Sequence, residues 1–287
     1  VLSGTTQAVD VAQDAPRIPI TTEELTGSIS LLGGRIDDLK LNQYWETLDE
    51  DSDTVRLLTP VGQDNAYYAL YGWAPVGGLE ADEVPGPNTI WAQDGSGDLT
   101  VATPVTLTWT NANGIVFNRE ISVDEDFLFT VSQNVENTSD AVITLAPYGV
   151  IARHGEPDTI GFFILHEGMV RMSDGQLKEL DYSDMPDLDI NERERARADV
   201  VDVEANGWLG FTDKYWMTSL IPTPGTGFKS VTKYDAARDI YQLESVLNSE
   251  TIAPGASTSV QTQLFAGAKE WEAIRSYQNE GGVEGFL

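Results

Sequence analysis

The sequence predicts an all-β domain of antiparallel sheets packed face to face, and three observations carry that expectation. Apolar and polar residues alternate with a period close to two in many short runs. Gly, Asn and Asp punctuate the runs at near-regular spacing. No βαβ rhythm appears, which argues against a parallel nucleotide-binding sheet. The chain has 287 residues, 41% of them hydrophobic, enough to bury a large core without disulfide or metal staples.

Residues 1–26 read as a flexible N-terminal linker, since they open with small, polar and acidic residues and a proline. The sandwich is expected over residues 27–267. Ser28–Leu31 and Ile36–Leu41 flank Gly33-Gly34, a hairpin signal. Alternation recurs in Val101–Trp109, Ile115–Val123 and Phe127–Val135, joined by Asn111-Ala112-Asn113-Gly114 and Asp124-Glu125-Asp126. Further strands are predicted at Val142–Ala152, Gly161–Leu165, Val200–Glu204, Trp208–Phe211, Met217–Ile221, Gly227–Lys233, Ile240–Val246 and Ser257–Phe265. Residues 75–97, rich in Gly, Pro and Asp, predict a long loop, and the charged residues 181–199 an exposed excursion. Residues 268–287 are expected to hold one short helix, ended by Gly281-Gly282, with Trp271, Ile274 and Tyr277 on one stripe. That stripe either packs on the domain or contacts a neighbouring element.

The charge balance limits the partners. There are 17 basic and 46 acidic residues, a net charge of -29, which repels nucleic acid and anionic lipid. Acidity serves solubility, and a segment so poor in Lys and Arg also suits the translocated side of a membrane. No apolar stretch is long enough to span a bilayer. The absence of cysteine removes disulfides, thiolate metal sites and cysteine nucleophiles. Val1-Leu2-Ser3 and Gly285-Phe286-Leu287 read as ends cut from a longer protein.

No self-sufficient catalytic constellation is legible, and no cofactor or metal is expected. Asp49–Asp53 places carboxylates at alternate positions as a calcium loop does, but Thr54 and Pro60 stand where Gly and Glu are required. Asp187–Asn191 fails in the same way. His154, beside Arg153, is a candidate acid–base residue or a structural one. His166 in His166-Glu167-Gly168 reads as a turn residue. Nucleophile-elbow, Walker and dinucleotide motifs are absent. Aromatic faces also stack on sugars, so Arg153, His154, Trp208 and Trp216 are the candidate cleft, with core packing the bland alternative for the tryptophans.

Several segments resemble the periplasmic (P1) domain of the YidC membrane-protein insertase family, alphaproteobacterial type. They are Leu32–Leu39 around Gly33-Gly34, Leu145–Gly155 followed by Phe163–Gly168, Asn206–Trp216 with Leu220-Ile221-Pro222, and Phe265–Lys269. The resemblance covers roughly residues 27–285 in order. It implies a large antiparallel β-supersandwich of galactose-mutarotase type with a short C-terminal helix leading toward a transmembrane segment. It also implies a periplasmic, non-catalytic module of an inner-membrane insertase that assists membrane-protein insertion, alone or with the Sec translocon. Sec accessory subunits and nascent membrane proteins are the implied partners, through the membrane-embedded parent. The stripe Trp271, Ile274 and Tyr277 is the candidate coupling face. The alternative is a carbohydrate-binding or aldose-epimerase-like domain with a weak sugar-like ligand. Mutarotase chemistry requires a histidine acid and a carboxylate base, and neither histidine segment resembles that motif.

Overall fold

The computed structural model describes residues 15–49, 51–157 and 166–286. Two antiparallel sheets face each other. The 11-stranded sheet runs β1 (Arg17–Thr21), β2 (Leu25–Ser30), β3 (Arg35–Trp45), β5 (Tyr67–Gly77), β10 (Ile143–His154), β18 (Ile240–Leu247), β17 (Phe228–Asp235), β14 (Ala196–Val203) and β13 (Ile190–Asn191). β4 (Thr54–Leu58) adds to β3 and β19 (Glu250–Ile252) to β10. The 9-stranded sheet runs β12 (Gln176–Asp181), β11 (Gly168–Ser173), β15 (Gly207–Thr212), β16 (Trp216–Pro222), β20 (Ser257–Ala268), β9 (Leu128–Glu136), β8 (Val116–Val123), β7 (Val105–Thr110) and β6 (Ala92–Asp94). Helix α1 (Trp271–Asn279) follows β20, and a 3-10 helix (Tyr182–Asp187) follows β12.

The main core lies between the sheets. It takes every second residue of the central strands, among them Tyr67, Ala69, Tyr71 and Trp73 of β5 and Leu209 and Phe211 of β15. A smaller apolar cluster, Tyr68, Leu70, Tyr148, Val150, Ala152 and Ile240, occupies the other face of the 11-stranded sheet. β5 and β10 are therefore apolar on both faces, as in a strand covered on both sides.

The Gly33-Gly34 hairpin forms as predicted, with Ser30 opposite Arg35. Both glycines have positive φ, 76° and 62°. A Cβ on Gly34 would lie 2.5 Å from the Arg119 guanidinium, so side-chain space and backbone both demand glycine there.

Several expectations need correction. Residues 17–26 are not linker: they form β1 and the start of β2, because Ile18, Ile20 and Leu25 enter the core at 0–1% exposure. The loop expected at 75–97 is shorter, since β5 runs to Gly77 and β6 occupies Ala92–Asp94. The excursion at 181–199 is anchored: Tyr182 and Met185 are buried, and Ala196 onward belongs to β14. The expected helix occupies only Trp271–Asn279 of 268–287, and residues 280–286 fold back onto the sandwich. The strand expected at Gly161–Leu165, like residues 1–14, lies outside the described residues.

Candidate functional site

A groove of about 790 Å³ opens on the outer face of the 11-stranded sheet, toward one end of the sandwich. Its volume lies within the usual range of ligand sites, about 300–1,000 Å³. Tyr148, Glu244 and Val246 of β10 and β18 form its floor. Register places Tyr148 opposite Val246 and Val150 opposite Glu244, so these side chains share one face. One wall comes from β5 and the loop after it, through Ala74, Val76, Val84 and Pro85. None of the described residues lining that wall is charged. The opposite wall, from the β13–β14 turn, β14 and β17, presents Arg193, Glu194, Asp202, Glu204 and Lys229.

A buried ionic group underlies the charged side. Lys233, 5% exposed, contacts the Glu244 carboxylate, and its Nζ lies 3.9 Å from Glu194 Oε2. Gln242 donates to Glu244 as well. Burial raises the Glu244 pKa above the ordinary carboxylate value, while Lys233 pulls against that shift. Two carboxylates thus share one ammonium in a low-dielectric setting.

The four cleft candidates from the sequence do not meet. Arg153 and His154 are adjacent in β10 and so point to opposite faces. Arg153 enters the inter-sheet layer, where its Nη1 donates to both Asp213 carboxylate oxygens and to Tyr182 Oη, each at 2.9 Å. Its guanidinium also lies 4.7 Å from the Tyr67 ring centroid. Burial opposes its charge, but Tyr182, Asp213 and Tyr67 outweigh that and hold its pKa above the ordinary value. His154 lies on the outer face, 5.8 Å from the Tyr68 ring, with Nε2 buried and unpartnered. Trp208 is buried on the outer face of the 9-stranded sheet, donating to the Glu284 carbonyl at 3.0 Å and meeting Phe286 edge-on. Trp216 packs against Tyr44. The candidate cleft is therefore corrected to four separate structural positions.

The C-terminal stripe is split. Ile274 and Tyr277 are 7% and 9% exposed and pack on the 9-stranded sheet, whereas Trp271 is 61% exposed. Tyr277 Oη donates to Asp124 Oδ2 at 2.8 Å, and its ring meets Phe265. An open partner face spanning all three residues is thus corrected to one exposed tryptophan. Sequence reasoning missed the groove, because the charged turn and the Pro-rich loop that wall it carry no strand periodicity.

The YidC periplasmic domain family model matches residues 17–284. The chain belongs to that family. A protein of Dinoroseobacter shibae named membrane protein insertase YidC is 59% identical over 280 residues, covering 98% of this chain and 46% of that protein. A Ruegeria relative of the same name is 57% identical, covering 91% of this chain and 43% of its own length. The chain thus spans about half the length of these relatives. The resemblance read from Leu145–Gly155 and Asn206–Trp216 is borne out. Among solved structures, a galactose mutarotase related enzyme from Lactobacillus acidophilus matches with a TM-score of 0.57 at 9% identity, covering 88% of this chain and 97% of that one. That likeness places the YidC periplasmic domain on the supersandwich fold and says nothing of its chemistry. No helix among the described residues is long and apolar enough to cross a membrane.

Proposed function

We propose that this chain is the periplasmic, non-catalytic interaction and coupling module of a bacterial inner-membrane protein insertase. In that role it assists insertion and folding of membrane proteins, alone or with the Sec translocon. One structural observation carries the coupling role: α1 and the segment after it are sewn onto the 9-stranded sheet. Ile274, Tyr277, Val283 and Phe286 are all buried there, with Phe286 edge-on to Trp208 and Phe265. Force on the C-terminal segment therefore reaches the sandwich as a body. Exposed Trp271 is the part of the stripe left for partners, for which Sec accessory subunits are the proposed class.

The test uses a full-length insertase carrying this domain. Ile274→Ala, which loosens α1, is expected to reduce insertion of a test membrane protein at unchanged insertase level, with the isolated domain still folded. Full insertion by that variant would remove the coupling role. Trp271→Ala should weaken cross-linking to Sec accessory subunits and leave domain stability unchanged.

The sugar-binding or epimerase alternative draws on the supersandwich alone. No histidine lines the groove, and its aromatic residues Trp73, Tyr148 and Phe228 are only 2–4% exposed, with no open ring face for stacking. Anomer interconversion by the purified chain, abolished in His154→Ala, would replace our reading.

A further inference from the structure

The tip of the β13–β14 hairpin is tied to the sheet by charge. Strand β13 has two residues, and its pairing with β14 is Ile190 opposite Arg197 and Asn191 opposite Ala196. Ile190 is 71% exposed, so it anchors nothing, and Glu192, Arg193 and Arg195 of the tip are exposed as well. Asn191 Oδ1 accepts from the backbone N–H groups of Arg193 and Glu194, which braces the tip within itself. The Glu194 side chain turns inward and is 7% exposed, with Oε2 3.9 Å from Lys233 Nζ.

Lys233 also contacts Glu244, a fully buried carboxylate to which Gln242 donates. With both carboxylates ionised, one ammonium faces two negative charges where water screens them poorly. Tyr148 of β10 faces Glu244 too, but burial pushes its phenol up to about 12, so it carries no charge. The remaining charged groups on this side of the groove are Arg193 on the tip, Lys229 on β17, and Asp202 and Glu204 on and just after β14. Two are positive and two negative, so the surplus stays with the buried group.

We propose that the β13–β14 tip is a proton-operated flap: one proton shared by Glu194 and Glu244 lets Lys233 hold the tip down, and loss of that proton lets the tip lift. With the proton bound, one carboxylate and one ammonium remain, and the buried charge balances. Without it, Glu194 is the carboxylate free to leave, because it sits on a two-residue edge strand while Glu244 lies in β18 between β10 and β17. Burial raises the Glu244 pKa most, Glu194 adds to the rise, and Lys233 opposes it. Lifting the tip removes the Glu194 charge, so the docked form is the one that binds the proton more tightly. Docking is therefore favoured at low pH and lost as pH rises through the raised Glu244 value. Arg193 and Glu194 line the charged wall of the groove, so lifting the tip widens the groove on that side, whatever the groove holds.

The chain contains no cysteine, so two introduced cysteines take spin labels at known places. Glu192→Cys on the tip and Val76→Cys on the facing wall are both exposed, and pulsed electron resonance reads the distance between them. One short distance is expected at pH 5, with a longer population growing about threefold or more by pH 8. Glu244→Gln removes the surplus charge and should keep the short distance at both pH values. Glu194→Gln, on the tip and outside the central strands, should make the distance distribution independent of pH and serves if the buried variant fails to fold. Melting temperatures check each chain. Identical distributions at the two pH values in the labelled parent would overturn the flap, as would an undiminished pH response in either glutamine variant. Neither result bears on the coupling role of α1.

Discussion

Arg119 reaches from β8 to Gly34 in the opposite sheet, where its Nη1 donates to the Gly34 carbonyl oxygen at 2.9 Å. Its Nη2 donates to the Tyr71 carbonyl, and the guanidinium lies 4.6 Å from the Trp91 ring centroid. Among the described residues no carboxylate pairs with it; main-chain dipoles and an aromatic face hold a fully buried cation. Burial pushes its pKa down to about 10, with Tyr148 and Tyr71 acting the other way, so it stays charged at neutral pH. Arg119→Met keeps the volume but leaves carbonyl oxygens of Gly34 and Tyr71 without a donor. The expected cost is about 3 kcal/mol at pH 7, at roughly 1–3 kcal/mol for each unsatisfied buried group. Urea unfolding measures it, and a loss below about 1 kcal/mol would show that water replaces the guanidinium.

His154 makes stability depend on pH. Burial first, then the positive charges of Arg238 and Arg35, hold its imidazole below the ordinary 6.5, with Asp239 opposing. Between the folded value and about 6.5 the unfolded chain binds the extra proton, so His154 makes stability rise with pH across that window. His154→Gln should therefore lose less stability than the unaltered chain when the pH falls from 7.5 to 5.5. Parallel losses in the two chains would mean that the folded ring accepts its proton freely.

Burial raises the Glu244 pKa under the groove, and Lys233 opposes that rise. Lys233→Met leaves the buried Glu244 and its neighbour Glu194 without their shared cation, at a cost of about 3 kcal/mol at pH 7. Glu244 already has a raised pKa, and losing Lys233 raises it further. A carboxyl with a raised folded pKa favours the fold below its unfolded value, 4.5, and that advantage is lost as pH rises through the folded value. The deficit of the variant should thus shrink as the pH falls toward 5. Chemical denaturation at both pH values decides it, and a pH-independent deficit would assign the loss to packing.

The strands that alternate cleanly were legible. β7, β8 and β9 face the core on one side only, so the period-two pattern and the turns at Asn111–Gly114 and Asp124–Asp126 located them. β5 was not, because Tyr67–Trp73 is buried on both faces and shows no alternation. β1 was hidden in a polar lead-in, with only Ile18 and Ile20 pointing inward. The groove was illegible for a further reason. Val76, Glu194 and Val246 come from distant parts of the chain, and only the antiparallel order β5-β10-β18-β17-β14 brings them together. The expected pairing of Arg153 with His154 failed on the same period of two that predicted their strand.

Gly267 marks where the outer face of the 9-stranded sheet admits no side chain. A Cβ there would lie 2.1 Å from the Phe127 ring, and Phe127 in turn packs edge-on to Phe265. Gly267→Ala should cost about 3 kcal/mol by overpacking. The double variant with Phe127→Leu should recover part of it. Additive losses in the two variants would show that Phe127 already has room to move.

The three residues of the C-terminal stripe should respond differently, since two of them are buried and Trp271 is 61% exposed. Trp271→Ala removes an exposed ring and is expected to change stability by less than about 0.5 kcal/mol. Ile274→Ala opens space under α1 and should cost about 2–4 kcal/mol. Tyr277→Phe keeps the ring on Phe265 but loses the bond to Asp124 and the 3.5 Å bond that the hydroxyl accepts from the Phe127 N–H, about 1–2 kcal/mol. Asp124 also accepts from the backbone of Asp126 and Leu128, so it keeps partners when the tyrosine hydroxyl is gone. Thermal unfolding of the three variants ranks them, with Ile274 first and Trp271 last. A large loss from Trp271→Ala would place its ring in a contact that the folded chain makes for itself, and the partner-facing role of that tryptophan would then fall.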